Sequence, residues 1–194
     1  MSQTFLDENP PIVLDATCST KKIWPRFASL RMDIKREVKP DICASAEFLP
    51  FREGVFSEIY CDPPHMIRSD TSLEKQANAW KLRHPRLIRE SSGYIRIRSP
   101  DQVPRAVDLL RFGAWKSREE WLEFIQRSNS EFARTLSSRG LLHYKIASGK
   151  DKRMTQISDM EGYSAFKETR RKILKSRAPW SKNLTYFLTM RLKP

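Results

Sequence analysis

The sequence predicts an α/β protein built on a doubly wound, mostly parallel sheet with helices on both faces. Three observations carry that expectation. Apolar runs that end in an acid or a turn recur at Ile12–Thr17, Leu30–Ile34, Pro40–Ser45 and Phe56–Tyr60, which places four short strands in the first 65 residues. An amphipathic helical stretch starts at Ser117, and two more apolar runs, Leu141–Ala147 and Leu184–Met190, supply further strands. The 194 residues fit one domain, 1–194, long enough to bury a full core and to carry an insertion at about 66–116.

Each element has its own warrant. Ile12–Thr17 is apolar up to Asp15, the pattern of a central strand buried on both faces. The small residues Cys18-Ser19-Thr20 then make a tight turn that lets a ligand approach the backbone, with helix-start amides behind it. Asp33 closes the second strand, and an acid about twenty residues after the first turn suits two hydrogen bonds to ribose hydroxyls. Phe56–Tyr60 is aromatic and β-branched, bounded by Glu53-Gly54 before it and by Asp62-Pro63-Pro64-His65 after. Each proline holds its predecessor in extended geometry, so the strand stops abruptly and leaves one carboxylate at its carboxyl end. In an open α/β sheet, that end is where ligands sit. Prolines also punctuate ordinary loops, and a rigid loop is the competing reading.

Further along, Ser117 caps a helix with Glu119 and Glu120 in its first turn, Trp121, Leu122, Phe124, Ile125, Phe132 and Leu136 on its apolar face, and Gly140 as its stop. In the fifth strand, Leu141–Ala147, His143 reads as structural. Ile157–Ser176 reads as mixed helical, with Lys167, Arg170, Arg171, Lys172, Lys175 and Arg177 on a solvated or auxiliary phosphate-binding face. No internal repeat and no low-complexity tract interrupts the chain.

Composition narrows the partners. With 36 Lys and Arg against 23 Asp and Glu, the net charge of +13 favours a polyanion. No apolar run reaches membrane-spanning length, and Met1–Pro11 is polar and acidic without a signal-peptide core, so a soluble, cytoplasmic protein is expected. Cys18, Cys43 and Cys61 are odd in number and lack metal-ligand spacing, so they read as small buried thiols, with no metal site.

Taken together, Leu14-Asp15-Ala16-Thr17-Cys18, Asp33-Ile34 followed by Lys39-Pro40-Asp41-Ile42, Leu49-Pro50-Phe51 and Asp62-Pro63-Pro64-His65 resemble the class I S-adenosylmethionine-dependent methyltransferases, and most of all members with an Asp-Pro-Pro-His motif. The match runs from Ile12 to His65 and, more loosely, from Gly113 to Ala147. The resemblance implies a Rossmann-like sheet with an antiparallel last strand and S-adenosylmethionine as cofactor. Asp15, Ala16, Thr17, Cys18 and Ser19 would surround its methionine part, Asp33 would bind the ribose, and Ser45 and Ala46 would border the adenine. Two departures stand out. The usual glycine-rich turn is replaced by Cys18-Ser19-Thr20-Lys21-Lys22, and Ser45 stands where the family often has an acid.

In this family the Asp-Pro-Pro-aromatic pattern goes with methylation of planar amino groups on nucleic-acid bases. Asp62 and the Pro63 carbonyl would each accept an N–H, Pro64 would fix the loop, and His65 would stack on the base or cap the proline loop. The basic insertion then reads as a substrate lid, with Trp80, Arg83, Arg86 and Tyr94 as candidate contacts to nucleic acid, RNA ahead of DNA. A solvated basic face with Trp80 in a local core is the bland alternative. Two rival functions stay open: a catalytically silent nucleic-acid-binding protein of the same fold, and a methyltransferase acting on a protein or small molecule.

Overall fold

The computed structural model describes residues 11–18, 28–67, 115–148, 155–160, 165–175 and 184–194. Seven strands form one mixed sheet: β1 (Val13–Asp15), β2 (Leu30–Asp33), β3 (Ile42–Cys43), β4 (Phe56–Cys61), β5 (Leu136–Ser148), β6 (Phe166–Lys175) and β7 (Leu184–Leu192). Their spatial order is β3-β2-β1-β4-β5-β7-β6. The first five pair in parallel, whereas β7 runs antiparallel to both β5 and β6. This is the doubly wound order 3-2-1-4-5-6 with one antiparallel strand slipped in before the last. The expected parallel sheet with an antiparallel final strand is therefore present, although that strand lies inside the sheet and β6 takes the edge.

One α-helix is present among the described residues, α1 (Arg118–Thr135). Its start follows from the sequence, for the Ser117 hydroxyl accepts the Glu120 N–H and two acids occupy the first turn. Trp121, Phe124, Ile125, Ser128, Asn129, Phe132 and Thr135 are buried at helical spacing. Trp121, Phe124, Ile125 and Phe132 pack in one core with Leu14, Met32, Ile59, Cys61, Leu142, Tyr144 and Ile146 from the strands. Burial of Phe124, Ile125 and Phe132 stabilises the fold by roughly 1.5–3 kcal/mol apiece. Helices were expected on both faces; the described residues supply one, on the face of Leu142 and Tyr144.

Four sequence expectations need correction. The helix ends at Thr135, not at Gly140, because Leu136 already takes extended geometry and begins β5. Gly140 instead lies where a two-residue step on β4, Phe56 to Glu58, faces a five-residue step on β5, Leu136 to Leu141. A Cβ there would stand 2.6 Å from Leu136 Cδ2 and 3.0 Å from the Ser137 carbonyl, so any larger residue would have to displace the Leu136 side chain and press on the bulge backbone. The stretch read as mixed helical is a 3-10 turn, Ile157–Met160, followed by strand β6; the cations mimicked a helical face because β6 is exposed on both sides from Thr169 onward. The third strand is only Ile42–Cys43, and Cys43 is exposed, whereas Cys18 and Cys61 are buried as expected. No helix among the described residues is long and apolar enough to cross a membrane.

Candidate active site

The sheet order reverses between β1 and β4, and such a switch point is where an open α/β sheet places its ligand crevice, outside the carboxyl ends of the strands. Three acids line it, one from each of three adjacent strands: Asp33 from β2, Asp15 from β1 and Asp62 just after β4. The turn after β1 is stitched to both neighbours. Ala16 N–H donates to the Tyr60 carbonyl (2.9 Å), Cys18 N–H to the Met32 carbonyl (2.9 Å), and Asp62 N–H to Thr17 Oγ1 (2.6 Å). Asp15 accepts from Thr17 N–H (3.3 Å), and Asp33 accepts from Lys35 N–H (2.9 Å).

Burial and the crowding of like charge set the ionisation of these groups. Burial, followed by the nearby charges of Asp62 and Asp33, pushes the Asp15 carboxyl up to about 7 despite the Thr17 amide. The Cys18 thiol, buried and beside Asp15 and Asp33, is pushed up to about 12 and is inert as a nucleophile. Asp62 behaves oppositely. Burial alone would raise its carboxyl, but hydrogen bonds and charges from His65 and Lys145 outweigh burial and hold it below the usual carboxylate range.

Lys145 is the residue that sequence reasoning missed. Its ammonium reaches Asp62 Oδ2 at 2.8 Å and Oδ1 at 3.0 Å, with side-chain exposures of 18% and 9% for the pair. A signal was available: in β5 the apolar Leu142, Tyr144 and Ile146 alternate with His143 and Lys145, so a cation had to project from the face opposite the helix beside the end of β4.

His65 is held from two directions. Its Nδ1 accepts the Ala147 N–H (3.3 Å), which fixes the Nε2–H tautomer, and Nε2 donates to Asp62 Oδ1 at 3.0 Å. Its own carbonyl accepts the Thr155 N–H (3.1 Å). Both ring nitrogens are thus engaged within the protein, and the side chain is 20% exposed. Pro64 is fixed by Trp115, whose Nε1–H donates to the Pro64 carbonyl at 2.8 Å. Trp115 N–H also donates to the Met66 carbonyl (2.9 Å), and Ile67 bridges Trp115 in parallel, so the two ends of the insertion meet beside the proline motif. Pro63 is buried, and its carbonyl has no hydrogen-bond partner among the described residues.

The acid of β2 and the end of β3 also come together. Ala44 N–H donates to the Asp33 carbonyl (3.2 Å), and Cys43 Sγ–H donates to the Ile34 carbonyl (3.5 Å), which ties the end of β3 to the end of β2. Ser45 Oγ is occupied by Glu47, through its carboxylate (3.3 Å) and its N–H (3.2 Å). The Ala46 side chain points into the core. Ile34, next to Asp33, is a large apolar side chain left 67% exposed. Ser19, Trp80, Arg83, Arg86 and Tyr94 lie outside the described residues. Among the described residues no group of His, Cys, Asp and Glu is arranged to hold a metal ion.

What the arrangement can do follows from its charges. An acid-lined crevice favours a cationic ligand, and an ionised, immobilised Asp62 is an acceptor for N–H groups rather than a proton donor. No family model matches this chain, and no curated protein matches it at a significant level.

Proposed function

We propose that this chain is a methyltransferase that uses S-adenosylmethionine to methylate an exocyclic amino group of a nucleic-acid base, RNA ahead of DNA. The observation that carries the reading is the position of Asp62: at the carboxyl end of a central strand, at the switch point, joined to the first turn through Thr17. The seven-strand order with an antiparallel β7 agrees with the Rossmann-like sheet that the class I resemblance implies. The charge of the site supports that cofactor. Asp15, pushed up to about 7 among two other acids, is relieved by a ligand that carries positive charge, as a sulfonium and an α-ammonium do. Asp15 to Ser19 would hold its methionine part, Asp33 the ribose, and Ser45 with Ile34 the adenine.

When bound, the cofactor supplies a methyl carbon whose bond to sulfur breaks, with its electron pair, as the amine nitrogen bonds to that carbon. The chain's own work is positional. A carboxylate offers about four lone-pair sites. Lys145 takes one on each oxygen of Asp62 and His65 takes a second on Oδ1, which leaves one on Oδ2. That site and the Pro63 carbonyl accept the two N–H bonds of a planar amine and turn its lone pair out of the ring plane. Lys145 keeps Asp62 ionised and weakly basic, so Asp62 orients the nitrogen and the surplus proton passes to water. In well-oriented model systems such positioning is worth roughly 7–11 kcal/mol of barrier.

A second reading, a silent nucleic-acid-binding protein of the same fold, draws on the same count, since three of four acceptor sites on Asp62 and both nitrogens of His65 are already used. Calorimetry with S-adenosylmethionine separates the two, because absence of binding overturns the enzyme reading. Labelled-methyl transfer to single-stranded RNA and DNA then tests the reaction. Asp62→Ala, with Asp62→Asn as the isosteric control, should abolish transfer and retain cofactor affinity; turnover in either variant contradicts the role given to Asp62.

A further inference from the structure

Directly paired residues on neighbouring strands share a face, so the registers can be read as rows across the sheet. Lys145 pairs with Phe187, and Phe187 pairs with Lys172; His143 pairs with Thr189, and Thr189 with Arg170. Lys172 and Arg170 therefore lie on the face of Lys145 and Asp62, opposite the helix. A bulge between Glu168 and Arg170 returns Lys167 to this same face, where it pairs with Arg191. Lys167, Arg170, Lys172 and Arg191 are all exposed, and none of the four forms an ion pair among the described residues. The acid of β6, Glu168, falls on the other face and is bound by Arg171. Lys167 opposite Arg191 is a like-charge cross-strand pair, which disfavours the bare sheet and is relieved by a bound anion.

We propose that this outer part of the face, carried by Lys167, Arg170 and Lys172 of β6 with Arg191 of β7, binds the phosphate backbone of a single-stranded nucleic acid. Three strand spacings of about 4.8 Å separate β4 from β6, roughly 14 Å, a span that a few nucleotides of a single strand cover. A strand laid across the face thus reaches from these cations to a base beside Asp62. Only that last step rests on the methyl-transfer reading; the cationic surface does not. A second copy of this chain is disfavoured as the occupant, because edge-to-edge pairing of β6 would set its cations against one another.

The test is a salt titration of binding, by fluorescence anisotropy, of a labelled single-stranded RNA, the matching DNA and a duplex to the full chain and to Lys167→Gln/Arg170→Gln/Lys172→Gln. Loss of three phosphate contacts lowers the slope of log affinity against log salt by about 2, at about 0.7 per contact for a single strand. Lys175→Gln, which pairs with Leu184 on the helix face, should leave the slope unchanged. Edge-strand lysines can also serve only to prevent aggregation. A triple variant that self-associates on size exclusion while keeping its slope overturns the proposal, as does an equal loss of slope on the duplex. Calorimetry with S-adenosylmethionine is run on the same preparations. Absence of cofactor binding with the slope change intact removes the enzyme and leaves this surface standing.

Discussion

Replacing Lys145 by Met removes one partner of a nearly buried ion pair while keeping the bulk of the side chain. Truncating one member of such a pair typically costs 3–5 kcal/mol, because the other charge stays buried. Here His65 remains on Asp62 Oδ1 at 3.0 Å and Lys145 keeps some contact with solvent, so the expected loss at pH 7 is about 2–3 kcal/mol. The pH dependence has a definite sign. In the native protein the carboxyl of Asp62 lies below its unfolded value, so its pairing supports the fold above that value and the support fades as pH falls through the folded one. Without Lys145, burial is opposed by His65 alone and the carboxyl moves up. The variant's deficit therefore shrinks between pH 7 and pH 5. Urea unfolding at the two pH values reads both quantities, with an unchanged slope showing that the same surface is exposed. A deficit below about 1 kcal/mol at pH 7, or one that grows on acidification, refutes the argument. Adding Asp62→Asn to Lys145→Met should restore much of the loss, since no unpaired charge remains.

Asp15 should behave in the opposite sense. Its carboxyl is raised from 3.8 to about 7, so the native state binds more protons in that window and stability declines as pH climbs through it. Asp15→Asn should gain about 1–2 kcal/mol at pH 8 and nothing at pH 4, against a ceiling of about 4 kcal/mol before relaxation and partial exposure are allowed for. Thermal melts at the two pH values check it, and on the proposed function the variant also loses affinity for the cationic cofactor. Gly140→Ala should cost about 1–3 kcal/mol in urea unfolding, since its Cβ meets Leu136 at 2.6 Å and the Ser137 carbonyl at 3.0 Å. Trp115→Phe deletes the hydrogen bond to the Pro64 carbonyl, so a loss of about 1 kcal/mol is expected. On the proposed function it also lowers methyl transfer without changing cofactor affinity.

The central strands were legible because their buried residues, Leu14, Met32, Phe56 and Ile59 among them, stand in short apolar runs and two prolines mark an end. Leu30–Asp33 and Phe56–Cys61 fall within a residue of expectation. The helix start was legible from Ser117 and its acids, but its stop was not. A glycine after an apolar stripe reads as a C-cap, and the bulge that needs Gly140 exists only once β4 and β5 are paired. Strand β6 was misread for a related reason: an edge strand exposed on both faces loses the period-two alternation that identifies strands. The site divides the same way. Asp15, Asp33 and Asp62 could be named from strand ends, whereas Lys145 is 83 residues from Asp62 and Trp115 is 51 from Pro64, separations that local pattern does not span.

The fold also accounts for how a chain of net charge +13 can present an acidic crevice. Asp15, Asp33 and Asp62 stand at the ends of three adjacent strands, while Lys167, Arg170, Lys172 and Arg191 project from two strands at the far side of the sheet. From Asp62 the separation is two to three strand spacings, roughly 10–14 Å, and from Asp15 and Asp33 it is three to five, so each exceeds the Debye length of about 8 Å at physiological ionic strength. Each group of charges therefore acts on its own ligand with little cancellation by the other. Lys145 stands between them, and because its charge is spent on Asp62 it neither repels a cation in the crevice nor draws a phosphate into it. On the proposed function, a cationic donor and a polyanionic acceptor can then occupy one face of the sheet together, and the sheet order sets where each one ends.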